Sequence, residues 1–213
     1  TLSPLDGAAS DAQLQGLLRG CSAETLERMK TAIPLLRMGN PLCNIHVVRN
    51  LISRGYVTTA ADGSFSLAEG VDYSVAVPDT IAAALELTIN ALPPIVRRSL
   101  AVAALFGRAF LVSDLVALDL YSREEIEEAL AVAEANVLVT RDGDACLFVH
   151  DIIREQLERM NPTGQLPELH RRVALHLQAN RATESSLLAH HFERAGMPME
   201  AGKAALAASK DAE

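Results

Sequence analysis

The stretch Ser122–Val149, "SREEIEEALAVAEANVLVTRDGDACLFV", decides the fold that the sequence predicts for the middle of this chain. Ser122 and Glu125 match the capping box of a helix N-terminus, and apolar residues follow at helical spacing. The runs "VLVTR" and "ACLFV" are typical of strands, and the Asp142-Gly143 pair between them favours a tight turn. We therefore expect a helix followed by a β-hairpin. The helix residues expected to face inward are Ile126, Leu130 and Val132 or Ala133.

Two further helices are predicted before this stretch, in "IVRRSLAVAALFG" and "LVSDLVALDL". Pro93-Pro94 ends the preceding helix and opens the first of these two, because proline fits the first turn of a helix and not its interior. The proline pair therefore indicates a domain boundary. Three helices followed by a hairpin is the element order of a winged-helix domain, which we predict for residues 93–155 with the hairpin as its wing.

The first part of the chain contains two short helices, a longer helix, a hairpin and a fourth helix by pattern. Ser10 and Ser22 are expected to cap "DAQLQGLL" and "AETLERMKTA", and Asp79 is expected to cap "DTIAAALELTINAL". The run "YVTTAADGSFSLA" predicts a hairpin around Asp62-Gly63, since both central residues of a type I′ turn need positive φ.

The longer helix has an informative N-terminus. Asn40 is a favoured N-cap residue, Pro41 fits the first helical position, and Gly55 is a typical stop. That geometry explains "GNP" as an ordinary helix start. Backbone amides at a helix N-terminus can also face an anion or a base edge, so the same turn could close over a nucleotide. The residues alone leave both interpretations open.

From residue 156 onward the pattern is helix upon helix, with helices expected at Leu166 to Ala179, at Glu184 to Ala195 and from Pro198. Each has one apolar stripe that needs a neighbour, as in stacked helix-pair repeats. Hydrophobic residues make up 49% of the chain but aromatic residues only 4%, so Ala, Leu, Val and Ile must build the core. The predicted class is mainly α.

The net charge of −8 and the pI near 5.3 argue against nucleic acid or an anionic membrane as a partner, because phosphate binding depends on clustered Lys and Arg. The third helix of the predicted winged helix, which would enter the major groove of DNA, has a charge of −4. A winged helix that packs against protein is therefore favoured over one that binds DNA.

Cellular location is predicted from cysteines and apolar runs. Cys21, Cys43 and Cys146 form no Cys-x-x-Cys pair, which fits the reducing cytoplasm. No run of 18 apolar residues and no signal-peptide pattern occurs, so we expect no membrane contact. Because the chain begins at Thr1 and its last residues read as mid-helix, we expect it to be a segment of a longer protein.

No sequence pattern predicts catalysis or a metal site. The chain has no GxxxxGK[ST] phosphate loop, no HExxH and no GxSxG. His190 and His191 are adjacent and point apart on a helix, while His170 and His176 are six residues apart, so we expect the six histidines to be satisfied helix residues. This chain alone is expected to bind no metal and to hydrolyse no ATP.

Several runs, in this order, resemble the region that follows the P-loop core in STAND-type signal-transduction ATPases. These include LuxR-type and maltose-regulator-like transcriptional regulators and ATPase-coupled adenylate cyclases. The runs are "GNPLCNIHVVRNLISRGYV", "VAVPDTIAAALELTINALPPIVRRSLAVAALFGRAF", "LFVHDIIREQLERM", "LHRRVALHL" and "LAHHFERAG". The resemblance extends over nearly the whole chain, from Leu14 to Ala207.

The resemblance implies a partial nucleotide site. In these ATPases the proline of the GNP-like turn lies by the adenine, so Gly39, Asn40 and Pro41 are the implied contact residues. ATP or ADP would be the cofactor of the full-length protein, and none is expected for this segment. Where the family usually has Phe followed by acidic residues, this chain has the run of Cys43, Asn44, Ile45 and His46.

The resemblance also implies a domain organisation and a switch. Residues 1–92 would form the helical lid of the ATPase with a small hairpin, residues 93–155 the winged-helix domain, and residues 156–213 the start of a tetratricopeptide-like repeat. Bound ADP would hold the lid and the winged helix against the upstream P-loop domain of the same chain. Exchange for ATP in the presence of an inducer would free them to contact other domains or protomers.

The implied function is nucleotide-dependent control of transcription by a regulatory segment without enzyme activity of its own. Three alternatives stay open at this point. The segment could regulate an adenylate cyclase coupled to the ATPase, it could be a stand-alone DNA-binding winged-helix protein, or it could be a small hydrolase with an unrecognised site.

Overall fold

The structure is a computed structural model that describes residues 5–59, 63–68, 80–180 and 185–211. The chain divides into two compact units, one that ends at Ala91 and one that begins at Leu92. These two units are coarser than the three predicted domains, and the finer division stays a prediction.

Both units are mainly helical, as the composition predicts, and each contains one small antiparallel sheet. Among the described residues the α-helices are α1 (Gly7–Leu17), α2 (Ala23–Ala32), α3 (Pro41–Ser53), α4 (Ile81–Asn90), α5 (Pro94–Ala103), α6 (Val112–Ala117), α7 (Arg123–Ala135), α8 (Asp151–Arg159), α9 (Leu166–Asn180), α10 (Ser185–Arg194) and α11 (Pro198–Asp211). The strands are β1 (Val57–Thr59), β2 (Phe65–Leu67), β3 (Ala109–Leu111), β4 (Val139–Asp142) and β5 (Ala145–Phe148). None of the described helices combines the length and the apolar character that crossing a membrane requires.

The first unit has an aliphatic core between α1, α2 and α3. One cluster of buried residues contains Leu14 from α1, Met29 from α2 and Val47 from α3. Asp6 begins α1, since its Oδ1 accepts a hydrogen bond from Ala9 N at 2.8 Å. The predicted Ser10 cap is therefore wrong, and Ser10 lies buried inside the helix. Asp caps a helix as well as Ser does, and nothing between the two residues breaks the helix.

The hairpin and the fourth helix complete this unit. Strands β1 and β2 pair antiparallel with Val57 opposite Leu67, which confirms the predicted hairpin. The predicted turn residue Asp62 and the predicted cap Asp79 lie outside the described residues. Thr80 caps α4, because its side chain accepts a hydrogen bond from Ala83 N at 3.2 Å.

The second unit packs α5 against α7 and α8. The predicted inward residues of α7 are confirmed, because Ile126, Leu130 and Ala133 are all buried. Its capping box is also present: Glu125 N donates to Ser122 Oγ, and Ser122 N donates to the Glu125 carboxylate. This box fixes the first turn of α7 beside the preceding loop.

The sheet of the second unit has three strands in the order β3, β5, β4, whereas the sequence predicts only the last two. β3 covers three residues, which is too short for an alternating pattern to stand out. Phe110 on β3 packs against Phe148 on β5 with ring centroids 5.2 Å apart. Asp142 pairs with Ala145, so the turn residues are Gly143 and Asp144, one position later than predicted.

Helices α9, α10 and α11 follow one another, and each packs against the next. The buried residues of α9 and α10 lie on one stripe of each helix, as the pattern predicts, with Leu169, Val173 and Leu177 on α9 and Leu188 and Phe192 on α10. Among the described side chains of α11 none is buried, and Met199 and Leu206 are exposed. Gly196, at a φ of +73°, ends α10 and lets the chain turn into α11.

Candidate functional site

The turn that the resemblance implies as an adenine contact is built from Gly39, Asn40 and Pro41, directly before α3. Gly39 has a φ of +63°, and its carbonyl accepts a hydrogen bond from Leu5 N at 2.7 Å. A Cβ added at this position would lie 2.3 Å from Leu5 O. Both the backbone conformation and the close approach of Leu5 therefore require glycine.

The other two residues of the turn have different exposures. Asn40 is half-buried, and its Oδ1 accepts a hydrogen bond from Cys43 N at 3.2 Å, as predicted for an N-cap. Pro41 is exposed at the first helical position, and its carbonyl accepts a hydrogen bond from Gln13 Nε2 at 3.1 Å. The turn is thus held from within by α1, and its outer surface includes the proline ring.

The residues that depart from the family pattern after this turn lie inside the unit. Cys43, Asn44 and His46 are buried, and Ile45 is half-buried. Asn44 Nδ2 donates to Ser10 Oγ at 3.2 Å and to Gln13 Oε1 at 2.9 Å. These side chains contact α1 and the core, so they give a ligand outside the turn no polar surface.

His46 is a buried histidine with one weak partner. Its Nδ1 lies 3.4 Å from Thr88 Oγ1, and its Nε2 has no hydrogen-bond partner among the described residues. Burial, with a smaller contribution from Arg49, lowers its pKa to about 4 and keeps the ring neutral. The prediction that all six histidines are satisfied helix residues is therefore wrong for His46, and it is also wrong for His191, whose Nε2 lacks a hydrogen-bond partner among the described residues. Helical spacing predicts which residues face inward, but it does not predict the groups that lie opposite them.

A second group of histidines joins α9 to α10 in the other unit. His170 Nδ1 and His191 Nδ1 are 2.8 Å apart, so one ring donates a hydrogen bond and the other accepts it. The exposed ring of His190 lies beside both of them. Burial lowers the pKa of His191 to about 3, with further lowering from His170 and His190 and an opposing backbone contact with Leu105. The sequence did not predict this group, because its members come from two helices.

A buried carboxylate also links α9 to α6. His176 Nε2 lies 2.8 Å from Asp114 Oδ1. The other oxygen of Asp114 accepts a hydrogen bond from Leu111 N at 3.2 Å at the start of α6. Both carboxylate oxygens are thus engaged within the protein, and the pair is a structural link between two helices.

The electrostatic surface of α7 is acidic. Glu124, Glu125, Glu128 and Glu134 are exposed on this helix. Glu127 instead binds the Arg141 guanidinium on β4, and these hydrogen bonds lower the pKa of its carboxyl group. The face of α7 that would have to approach a DNA backbone therefore consists mainly of carboxylates.

Within the described ranges, no group of three or more His, Cys, Asp and Glu side chains has the geometry to hold a metal ion. Burial raises the pKa of the Cys21 thiol, and it raises the pKa of the Cys43 and Cys146 thiols to about 11. The three thiols are therefore protonated near neutral pH and are weak nucleophiles.

No protein-family model matches this chain, and no curated protein sequence matches it significantly. The resemblance to signalling ATPases consequently depends on the quoted motifs and their order along the chain.

Proposed function

We propose that this chain is a regulatory segment of a multidomain STAND-type signalling ATPase that controls transcription through nucleotide-dependent contacts between domains. Residues 1–92 act as the helical lid, residues 93–155 as a winged-helix domain, and residues 156–213 as the start of a helical repeat. ATP and ADP bind mainly to an upstream P-loop domain of the same protein. The segment itself performs no reaction.

The observation that carries this proposal is the shape of the turn at Gly39–Pro41. Leu5 and Gln13 hold it from the inside, while the ring of Pro41 is exposed at the start of α3. A fixed apolar ring suits contact with the flat face or the edge of an adenine. It supplies no phosphate contact, so such a turn contributes to a nucleotide site only together with a separate phosphate-binding loop.

Two features of the second unit support a role in protein contacts. The element order from α5 to β5 is helix, strand, short helix, helix and hairpin, which fits a winged-helix domain. The segment from Pro94 to Val149 carries five arginines against nine carboxylates. An acidic domain of this kind is suited to docking on other protein surfaces and unsuited to binding DNA phosphates.

Nucleotide titration of this chain tests the proposal directly. We expect no ATP turnover, and we expect calorimetry to give an ADP dissociation constant on the order of 1 mM or weaker. The reason is that the sequence contains no GxxxxGK[ST] loop to bind the phosphates. Micromolar binding or measurable turnover would contradict the proposal. The coding sequence before Thr1 should encode a GxxxxGK[ST] loop, and a gene without one would exclude the assignment.

The longer protein allows a sharper test of the turn. Pro41→Ala should weaken ADP binding by about tenfold, since it removes an apolar contact with the base. Pro198→Ala is the matched control, because Pro198 is also an exposed proline at the first position of a helix, α11. An equal effect of both substitutions would show that the turn makes no specific contact.

Stand-alone DNA binding is the rival function to be excluded. An electrophoretic mobility assay of the chain at physiological salt should show no shifted DNA, because the exposed carboxylates of α7 repel the phosphate backbone. A shifted band that weakens on substitution of α7 residues would favour the DNA-binding function instead.

A further inference from the structure

A cleft of about 670 Å³ opens in the second unit beside α5. Its walls come from α5, from the loop between α6 and α7, and from the loop between α8 and α9. A cleft of this volume matches the sites that proteins use for small molecules. Ala101, Val102 and Leu169 give it an apolar inner surface, and all three are buried in the fold.

The charged side chains that line this cleft are both cationic. They are Arg97 and Arg98 on α5, and the phenol of Tyr121 lies near them. No Asp or Glu is among the described lining residues, although the chain contains 27 acidic residues against 19 basic ones. A cationic lining in an acidic protein indicates a site that selects a negatively charged group.

Arg98 is the more accessible of the two arginines and forms no ion pair with a carboxylate in the described part of the chain. Burial raises the pKa of the nearby Tyr121 phenol, Arg98 opposes that shift and Glu125 adds to it. The phenol is therefore a neutral hydrogen-bond donor in the same cleft lining as the Arg98 guanidinium, and both kinds of group are suited to binding an anion.

Asn161 fixes the part of the cleft lining that comes from the loop between α8 and α9. This residue is 6% exposed, and its Nδ2 donates to Ala101 O at 2.8 Å and to Glu158 O at 3.0 Å. The first bond joins the loop between α8 and α9 to α5, and the second joins that loop to the last turn of α8. Asn161 therefore fixes part of the cleft lining relative to α5, which reduces the cost of ordering a bound ligand.

We propose that this cleft binds a small amphipathic anion. Arg97, Arg98 and the Tyr121 hydroxyl bind its carboxylate or phosphate group, and its apolar part packs on Ala101, Val102 and Leu169. A small molecule is favoured over a macromolecule because the polar and apolar groups converge in one concave cleft of limited volume. The cleft and the turn at Gly39–Pro41 lie in different units, so either assignment can fail without the other.

Calorimetric titration of the 213-residue chain with three heptyl compounds tests this proposal. The probes are octanoate, heptyl phosphate and the neutral octanamide, which share the heptyl chain and differ in the head group. We expect at least one anion to bind about tenfold or more tightly than octanamide, owing to charge-assisted hydrogen bonds. The better anion identifies the class of head group. Equal binding of all three probes, or no saturable binding of either anion, would overturn the proposal.

Substitutions place the binding in this cleft. Arg97→Gln and Arg98→Gln should each weaken anion binding by about tenfold and leave octanamide binding unchanged. Arg123→Gln is the matched control, because it removes one arginine charge from the same unit at a position outside the lining. Equal losses in all three variants would indicate a general charge effect and reject the site.

A fluorescent reporter supplies a second readout. The chain has no tryptophan, so Met160→Trp introduces a single indole at an exposed residue of the cleft lining that the proposal does not assign to binding. Its emission should change with the same saturation midpoint as the calorimetric signal. An unchanged emission during binding would place the ligand elsewhere. If hexaglutamate displaces the bound anion and binds more tightly than it, the cleft docks an acidic polypeptide and the small-molecule assignment is wrong.

Discussion

The two units each bury histidine between packed helices, but they treat the imidazole differently. In the first unit, His46 lies between α3 and α4 with one long contact to Thr88 and an unpartnered Nε2. In the second unit, His170 on α9 and His191 on α10 place their Nδ1 atoms 2.8 Å apart. The Nε2 atoms of His46 and His191 both lack a hydrogen-bond partner among the described residues. The two arrangements therefore differ at Nδ1, where the contact of His46 with Thr88 is long and the contact between His170 and His191 is short.

Burying a histidine side chain has two separate consequences, one for its protonation and one for its hydrogen bonds. Burial keeps both imidazole rings neutral near pH 7, because it lowers the pKa of His46 to about 4 and that of His191 to about 3. Only the pair gains a short hydrogen bond in return for the lost hydration, since the contact of His46 with Thr88 is 3.4 Å long. The units should therefore respond alike to acid and differently to the removal of a ring.

The largest expected effect is a loss of stability in weak acid that both units share. Since the folded pKa values lie below the ordinary value of 6.5, the unfolded chain binds protons more readily. The contribution is fully present above pH 6.5 and is lost as the pH falls toward the folded pKa values. At pH 5 we expect a loss of about 2 kcal/mol for each of His46 and His191 relative to pH 7.5. Urea unfolding followed by circular dichroism at the two pH values measures it.

Glu168 and Glu127 should contribute little to the change in stability between pH 7.5 and pH 5. Hydrogen bonds from Arg171 and Arg172 lower the pKa of Glu168 to about 2, and hydrogen bonds from Arg141 lower that of Glu127, so both stay ionised at pH 5. A chain that is equally stable at pH 7.5 and pH 5 would show that the buried rings do not resist protonation.

The second prediction concerns the paired histidines. At pH 7.5, His191→Leu should lower the free energy of unfolding by about 1 to 3 kcal/mol, because it leaves the buried Nδ1 of His170 without its partner. His190→Leu is the matched control, since His190 is the exposed neighbour on the same helix, and we expect a change within about 0.5 kcal/mol.

The double variant His170→Leu/His191→Leu distinguishes the lost hydrogen bond from lost packing. Removing both polar rings eliminates the unpaired nitrogen, so the double variant should recover part of the stability that His191→Leu loses. Additive losses in the double variant would mean that the hydrogen bond between the rings contributes nothing measurable.

Local patterns predict local structure well in this chain. The Ser122 and Glu125 capping box, the Asn40 cap and the stop at Gly55 depend on residues within one or two helical turns, and the structure contains all three. β3 is missed because its three residues form a strand only by pairing with β5, which lies more than thirty residues later. Its existence depends on tertiary contact and not on a period in the sequence.

In the candidate sites, too, contiguous features could be predicted from the sequence and contacts between separate elements could not. The turn at Gly39–Pro41 is contiguous, so its geometry could be predicted, whereas its inner contacts with Leu5 and Gln13 could not. The His170 and His191 pair and the cleft that contains Arg98 and Tyr121 unite residues from separate elements. No spacing rule relates such positions, and they become visible only once the helices are packed.

The smallest expected effect concerns His46, the buried histidine that is not paired with a second histidine. At pH 7.5, His46→Leu should change the free energy of unfolding by less than about 1 kcal/mol, because the lost contact with Thr88 is long and Thr88 Oγ1 keeps its hydrogen bonds with Asn50 Nδ2 and Ala84 O. At pH 5 the same variant should be more stable than the unmodified chain, since Leu has no proton to bind. A loss as large as that of His191→Leu would mean that His46 has a strong partner after all, and the contrast between the two buried histidines would disappear.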